Sequence, residues 1–328
     1  MVRKWGPWLL KGGLSVGLTW WLLSKIDVGE AWAKFQSMKP DMLALGVAFM
    51  LLQLALGAVR WGVVLRALSA ELSAFRIMKL YYIGAFFATV LPGLVGGDAV
   101  RVWCTVKAGV PLSIAVNSVM LERAAAVLSL AVLVACTEPV LLERVPELPG
   151  AWIFPLLSVA GVCGVFVLSV LDRLPESLRK WRAVRAMTYL AADTRKVAFH
   201  PVTAAASFFS ALIGNVNLSM VVWALARGLD MPVSALDCLV LVPPVFLLTT
   251  LPISVAGWGV REAAMVSAFG FIGIAQSSSL VLSIVFGVLN MITAVPGGLA
   301  FLSVGGRHLP NPRELSENET PETSLESS

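Results

Sequence analysis

Apolar residues gather in long runs separated by short polar stretches, at about 8–24, 42–59, 77–93, 112–141, 151–171, 201–226, 233–252, 255–275 and 279–304. Several runs approach the roughly 20 residues a helix needs to cross a bilayer. The pattern predicts an all-α polytopic membrane protein with about six to eight transmembrane helices. Composition sharpens this: 58% of the 328 residues are hydrophobic and 14% charged, with a mean hydropathy of +0.83. Soluble domains carry about 25% charged residues, and a larger core would still need a polar covering. The first run follows Arg3 and Lys4 as a signal peptide would, but Lys11 interrupts it. Lys25, Asp27 and Glu30 make no convincing cleavage site, so it reads as a retained first helix.

Loop charges thread these runs, because cytoplasmic loops collect Lys and Arg. Arg3, Lys4 and Lys11 place the N-terminus inside, and Arg60, Arg66, Arg76 and Lys79 place the 60–79 loop inside. A full crossing at 77–93 would put the acidic 138–150 loop inside and the basic 172–200 loop outside. A re-entrant hairpin at 77–93 reverses both assignments and restores the rule. The same reasoning makes 233–252 with 255–275 a second hairpin from the opposite face, and returns the C-terminus to the cytoplasm. Six spanning helices and two hairpins result.

The net charge of +5 suggests nucleic acid in a soluble domain. Here the basic residues lie in loops, and no nucleic-acid partner is expected. Cys104, Cys136, Cys163 and Cys238 are scattered, and the two histidines, His200 and His308, sit at segment ends. No metal cluster forms at a normal spacing, so no metal and no cofactor are expected. No Walker-type phosphate loop occurs.

An internal repeat is the strongest local signal. Phe86–Arg101, FFATVLPGLVGGDAVR, matches Phe246–Arg261, FLLTTLPISVAGWGVR, without a gap. A Pro, a Gly and an Arg align among the identities: Pro92 with Pro252, Gly97 with Gly257, Arg101 with Arg261. Each copy is a helix breaker followed by a charge. Proline removes a backbone donor, and Gly93, Gly96, Gly97, Gly257 and Gly259 free the backbone. Irregular backbone at membrane depth is tolerated only beside protein or a wet cavity. Corresponding interrupted segments in two halves point to a transporter's site between inverted repeats. The alternative is a pair of Pro-Gly loops at the membrane surface with snorkelling arginines.

The charges near these breaks are the candidate substrate-binding residues: Asp98, Arg101, Glu122, Arg123, Arg261 and Glu262. Ionised groups in hydrocarbon cost at least roughly 2.5–3.5 kcal/mol each and so face a cavity or a counter-charge. Asp98 and Arg101 can pair at i,i+3 on a helix. Glu122 and Arg123 point apart and need partners elsewhere. Arg101 and Arg261 are expected to flank one midplane cavity, where a guanidinium fork suits phosphate. The bland alternative is a set of structural ion pairs. Within 172–200, Trp181, Val184, Met187 and Leu190 recur at helical spacing among arginines. They suit either an amphipathic helix on the anionic leaflet or an ordinary cytoplasmic loop.

Arg60-Trp61, then Tyr82-x-Gly84-x-Phe86-Phe87, Leu91-Pro92-Gly93-x-x-Gly96-Gly97-Asp98-x-x-Arg101 and Glu122-Arg123 form one signature. Pro252-x-Ser254-x-x-Gly257-x-Gly259-x-Arg261-Glu262 forms a second. Together they resemble the flippase-like transmembrane region of bacterial lysylphosphatidylglycerol synthases, over nearly the whole chain to about 304. The resemblance implies a bacterial inner-membrane protein that translocates lipids or polyprenyl-linked intermediates. The synthases' aminoacyl-transfer domain has no counterpart after 304, so lysyl transfer does not carry over. Trp258 stands where the first signature has Asp98.

The expected organisation is a membrane domain at 1–306, with repeat halves at about 42–141 and 201–304 and the basic cytoplasmic loop 172–200. A disordered acidic tail follows at 307–328. The expected function is a flippase or transporter for an anionic lipid or lipid-linked carrier, not an enzyme, with membrane lipids and a separate lipid-modifying enzyme as partners. The alternatives are an intramembrane lipid-phosphate transferase using Asp98 or Glu122 as base, and a non-catalytic scaffold docked through 172–200.

Overall fold

A computed structural model describes residues 35–91, 96–144, 193–197, 199–250 and 259–303, with single positions at 156, 159 and 163. Eight helices account for most of them: α1 (Pro40–Ala67), α2 (Ala74–Val90), α3 (Gly96–Lys107), α4 (Leu112–Arg144), α5 (Pro201–Gly228), α6 (Ala235–Thr249), α7 (Val260–Gly270) and α8 (Gln276–Leu302). No strand occurs among the described residues. The first expected helix, Pro92 and Gly93, Pro252 and Gly257, the amphipathic stretch at 181–190 and the tail at 307–328 lie outside the described residues.

The helices fall into two series of the same form, long–short–short–long. α1 and α5 are each 28 residues long, and α2, α3 and α4 are followed in kind by α6, α7 and α8. The punctuation matches residue by residue. Pro40 and Pro201 open α1 and α5, with the fixed φ that suits a first helical turn. Leu68 and Leu229 close them, and Ser69 (φ 61°) and Asp230 (φ 56°) turn the chain into the left-handed region. Ser73 and Ser234 then cap α2 and α6, accepting the amides of Arg76 and Asp237. Gly109 (φ 96°) and Gly273 (φ 79°) make the turns before α4 and α8.

Packing repeats as well. α1 lies against α5. α2 packs on α8 and α4 on α6; α5 touches α4 as α1 touches α8; the contacts within each series also correspond. α1 and α5 run antiparallel. The Lys39 amide donates to the Gly228 carbonyl at 2.9 Å, Lys39 pairs with Asp230, and the Asn217 amide reaches the Phe49 carbonyl and Gln53. Equivalent helices that run antiparallel are related by an axis perpendicular to both.

α2 and α3 form a tight antiparallel hairpin. A Cβ on Gly97 would overlap the Gly84 carbonyl and Ala88, so only bare backbone lets these arms approach. The two largest core clusters are centred on different halves, though Met50 and Leu141 of the first half join the larger one. One gathers Trp61, Ile77, Ile83 and Trp103; the other gathers Val222, Leu225, Cys238, Met265 and Phe286.

Among the described residues, four helices (α1, most of α4, α5 and α8) are long and apolar enough to cross a membrane. Their outward surface is apolar too. Val288, Met291, Ile292, Val295, Leu299 and Leu302 form an exposed stripe along α8, and Leu52, Val59, Phe209 and Ile213 are exposed on α1 and α5. A helix apolar on both its packed and its outward faces belongs in lipid. This is a multi-pass membrane protein.

Three boundaries differ from the sequence expectation. The run at 77–93, expected to enter and return by itself, is one helix up to Val90, and its antiparallel arm is α3. Arg60 is not in a cytoplasmic loop: α1 continues to Ala67, and Arg60 is buried. The polar connection shrinks to 68–73. Among its described residues, the run at 255–275 holds the 11-residue helix α7. At the end of the basic loop, residues 193–197 are helical. Val197 packs on Val64, Leu68 and Leu121, and Asp193 accepts from Asn117 at 2.7 Å.

Candidate functional site: two buried arginine clusters

Five charged side chains converge in the first half. Arg60 of α1 binds Glu122 of α4 through two nitrogens, Nε at 2.8 Å and Nη2. The other Glu122 oxygen accepts from Arg101 Nη2 of α3 at 3.1 Å. Arg101 Nη2 also reaches Asp98 Oδ1, one turn away, at 3.1 Å. Arg123 completes the chain with two bonds to Asp98, at 3.0 and 3.1 Å. Glu122 is 1% exposed, Arg101 2% and Arg60 7%, whereas the Arg123 side chain is 55% exposed. The three helices are thus tied by charge inside their own packing.

Aromatic rings wall the cluster. The Arg101 guanidinium lies 4.9 Å from the Trp61 ring and 5.2 Å from the Tyr81 ring, a placement attractive to a cation. Trp61 is held by its own bond from Nε1 to Ser118 Oγ at 3.1 Å. Three guanidiniums meet two carboxylates, which leaves one positive charge. Arg101 Nε is buried and has no hydrogen-bond partner among the described residues.

The second half is built differently. Arg261 Nη2 donates to Glu262 Oε1 at 2.6 Å, and Nε donates to Ser283 Oγ at 3.1 Å. Ser283 in turn donates to the same Glu262 oxygen at 3.2 Å. Sequence neighbours on a helix normally diverge. Here Glu262 folds back to accept the Gly259 amide at 2.5 Å, capping α7, and so turns its second oxygen towards Arg261. Gly259 has φ 85°, a conformation that glycine takes without strain. Arg261 also lies 5.5 Å from the Phe286 ring.

Beside Arg261 opens a cavity of 240 Å³. Gln53, Thr249, Arg261 and Asn290 supply its polar lining, and Met50, Leu218, Phe246 and Phe286 its apolar lining. Both arginines were expected to flank one cavity; this one is lined by Arg261 and not by Arg101. In the first half, side chains take places equivalent to parts of this lining. The Tyr81 ring covers the bare Gly57 backbone, and Arg60 reaches towards Gly214.

The geometry joins Asp98, Arg101, Glu122 and Arg123 into one chain and keeps Arg261 with Glu262 in another. The Asp98–Arg101 pair forms at its helical spacing, and Glu122 and Arg123 find separate partners. Arg60, Trp61, Tyr81 and Ser283 join these groups, although sequence reasoning gave none of them a place in the site. An arginine inside a long apolar run is a usable signal, because such a charge needs a buried counter-charge.

Fold and site define an all-helical, multi-pass membrane protein with compensated charges buried between its membrane-spanning helices. The chain belongs to the Lysylphosphatidylglycerol synthase TM region family, which matches residues 8–298. That membership ties it to lipid chemistry at the membrane. No curated protein matches the chain.

Proposed function

We propose that this protein is a flippase or transporter for an anionic lipid or lipid-linked carrier, working in a bacterial plasma membrane. One observation carries the reading: two buried guanidiniums and one exposed one share two carboxylates, and the Arg101 Nε is unpartnered among the described residues. A phosphate would supply both the missing charge and the missing acceptor. The antiparallel match of α1 with α5 supports an inverted repeat, since helices that both cross the bilayer put the axis in the membrane plane. The hairpins α2–α3 and α6–α7 would then enter from opposite faces as re-entrant segments.

A transferase reading needs a free base, and Asp98 and Glu122 are its candidates. Each is already bound to two arginines, which favours transport.

The test is reconstitution in liposomes, following the sidedness of labelled phosphatidylglycerol, an aminoacylated lipid and a polyprenyl phosphate. Movement of an anionic class that falls at least tenfold in Arg101→Ala and Arg261→Ala, with partial retention in Arg101→Lys, is expected. Folded protein that moves none of these lipids would overturn the reading.

A further inference from the structure

The cavity beside Arg261 differs chemically from the charged chain around Arg101. Its arginine is already matched by Glu262 at 2.6 Å, so it carries little unspent charge. What it offers instead is amides. Asn217 Nδ2 donates to Gln53 Oε1 at 2.9 Å, which fixes the Gln53 side chain and leaves its NH2 group as the end available for donation. The Asn290 side chain makes no hydrogen bond among the described residues. Thr249 donates to the Phe246 carbonyl at 2.7 Å, so its oxygen keeps lone pairs for a donor. Donor and acceptor groups thus converge on one space, against the apolar faces of Phe246 and Phe286.

Side chains that both donate and accept match hydroxyl groups, which do the same. Phosphate oxygens only accept. At 240 Å³ the space holds about eight water volumes, room for a glycerol or a single sugar ring. Gly214 adds a connection. Its nearest neighbours are Arg60 Nη1 at 3.6 Å and Gln53 at 3.7 Å from where a Cβ would stand. The absence of a side chain there brings the charged chain and the amide-lined cavity next to each other.

We infer that this cavity is a recognition site for the hydroxyl-bearing part of a phosphate lipid, with Gln53 and Asn290 reading the hydroxyls. The inference rests on the anionic-lipid reading above and adds to it the class of head group: a polyol or sugar joined to phosphate. Gln53 and Asn290 set preference, and the arginines set affinity for the phosphate. A glycerol phospholipid and a polyprenyl-phosphate sugar share this chemistry.

The experiment is lipid binding to delipidated full-length protein by native mass spectrometry. The probes are phosphatidylglycerol, phosphatidic acid, glucosyl diacylglycerol, polyprenyl phosphate and polyprenyl-phosphate glucose. The wild type is expected to prefer each hydroxylated phosphate lipid over its bare counterpart by about tenfold. The pair showing the larger ratio names the source. Asn290→Leu and Gln53→Leu should each reduce that ratio severalfold while binding of the bare phosphate lipids stays within twofold. Asn290→Leu is decisive if Gln53→Leu unfolds, because the Asn290 side chain makes no hydrogen bond among the described residues. Equal binding of hydroxylated and bare lipids, or a ratio unchanged in Asn290→Leu, overturns this inference and leaves the anionic-lipid reading standing. Phosphate lipids binding no better than glucosyl diacylglycerol would overturn both.

Discussion

Glu122 and Phe286 stand at the same register of α4 and α8, ten residues beyond Leu112 and Gln276, and each faces the arginine of its own half. One half meets its arginine with a carboxylate and the other with a ring. Arg60, which supports Glu122, has Val221 as its counterpart on α5, by the spacing that relates Pro40 to Pro201. The halves share a backbone plan and divide the chemistry.

This correspondence can be tested by rebuilding the first cluster in the second half. Phe286→Glu buries a carboxylate beside Glu262 and should destabilise the protein strongly. Val221→Arg alone buries an unpaired cation. Together they should be more stable than the sum of the single effects by about 1–3 kcal/mol, measured by thermal unfolding in detergent. Strict additivity would mean that the two positions do not face each other as Arg60 and Glu122 do.

Glu122→Ala strands Arg60 and Arg101 without their shared partner. Removing one member of a buried pair costs about 3–5 kcal/mol, so a large fall in melting temperature is expected. Arg123→Ala should cost less than about 1 kcal/mol, because that side chain is mostly exposed. Equal effects would show that burial does not set the strength of this chain.

Glu71 and Pro232 hold equivalent exposed places, each two residues before the serine that caps its short helix. In a background without the four native cysteines, Glu71→Cys and Pro232→Cys should react with an impermeant maleimide from opposite sides of the membrane. Labelling from one side would refute the inverted arrangement.

Gly97→Ala places a methyl group against the Gly84 carbonyl and Ala88. Overpacking of this kind costs about 1–3 kcal/mol, and the α2–α3 hairpin should open. Gly270→Ala meets nothing within 4 Å and should leave the melting temperature unchanged or slightly raised. The contrast between the two variants, read in one unfolding assay, isolates close approach from helix propensity.

Most helices were legible as apolar runs because lipid removes the need for a polar face. The run at 112–141 became α4, and 201–226 became α5, with small changes at the ends. The Asp98–Arg101 pair was legible because both partners lie one turn apart. Arg60 was not. A charge ends an apolar run when its compensation is invisible, and Glu122 lies 62 residues away. The sequence repeat around Pro92 and Pro252 located the equivalent arginines, but not that Arg261 borders the amide-lined cavity and Arg101 does not. That difference comes from Tyr81 covering Gly57 and from Phe286 replacing a carboxylate, both of which need the packing of helices from each half.

The contact of α1 with α5 is one of a helix with its own counterpart, as in the isologous interface of a symmetric dimer. Each half also lends its short helix to the other's last one, α2 to α8 and α6 to α4. The halves therefore meet through surfaces that do not include the segment linking them. Two separately synthesised pieces, divided within 145–192, carry complementary surfaces and should find each other in the membrane, as two copies of a half-length chain inserted in opposite senses would.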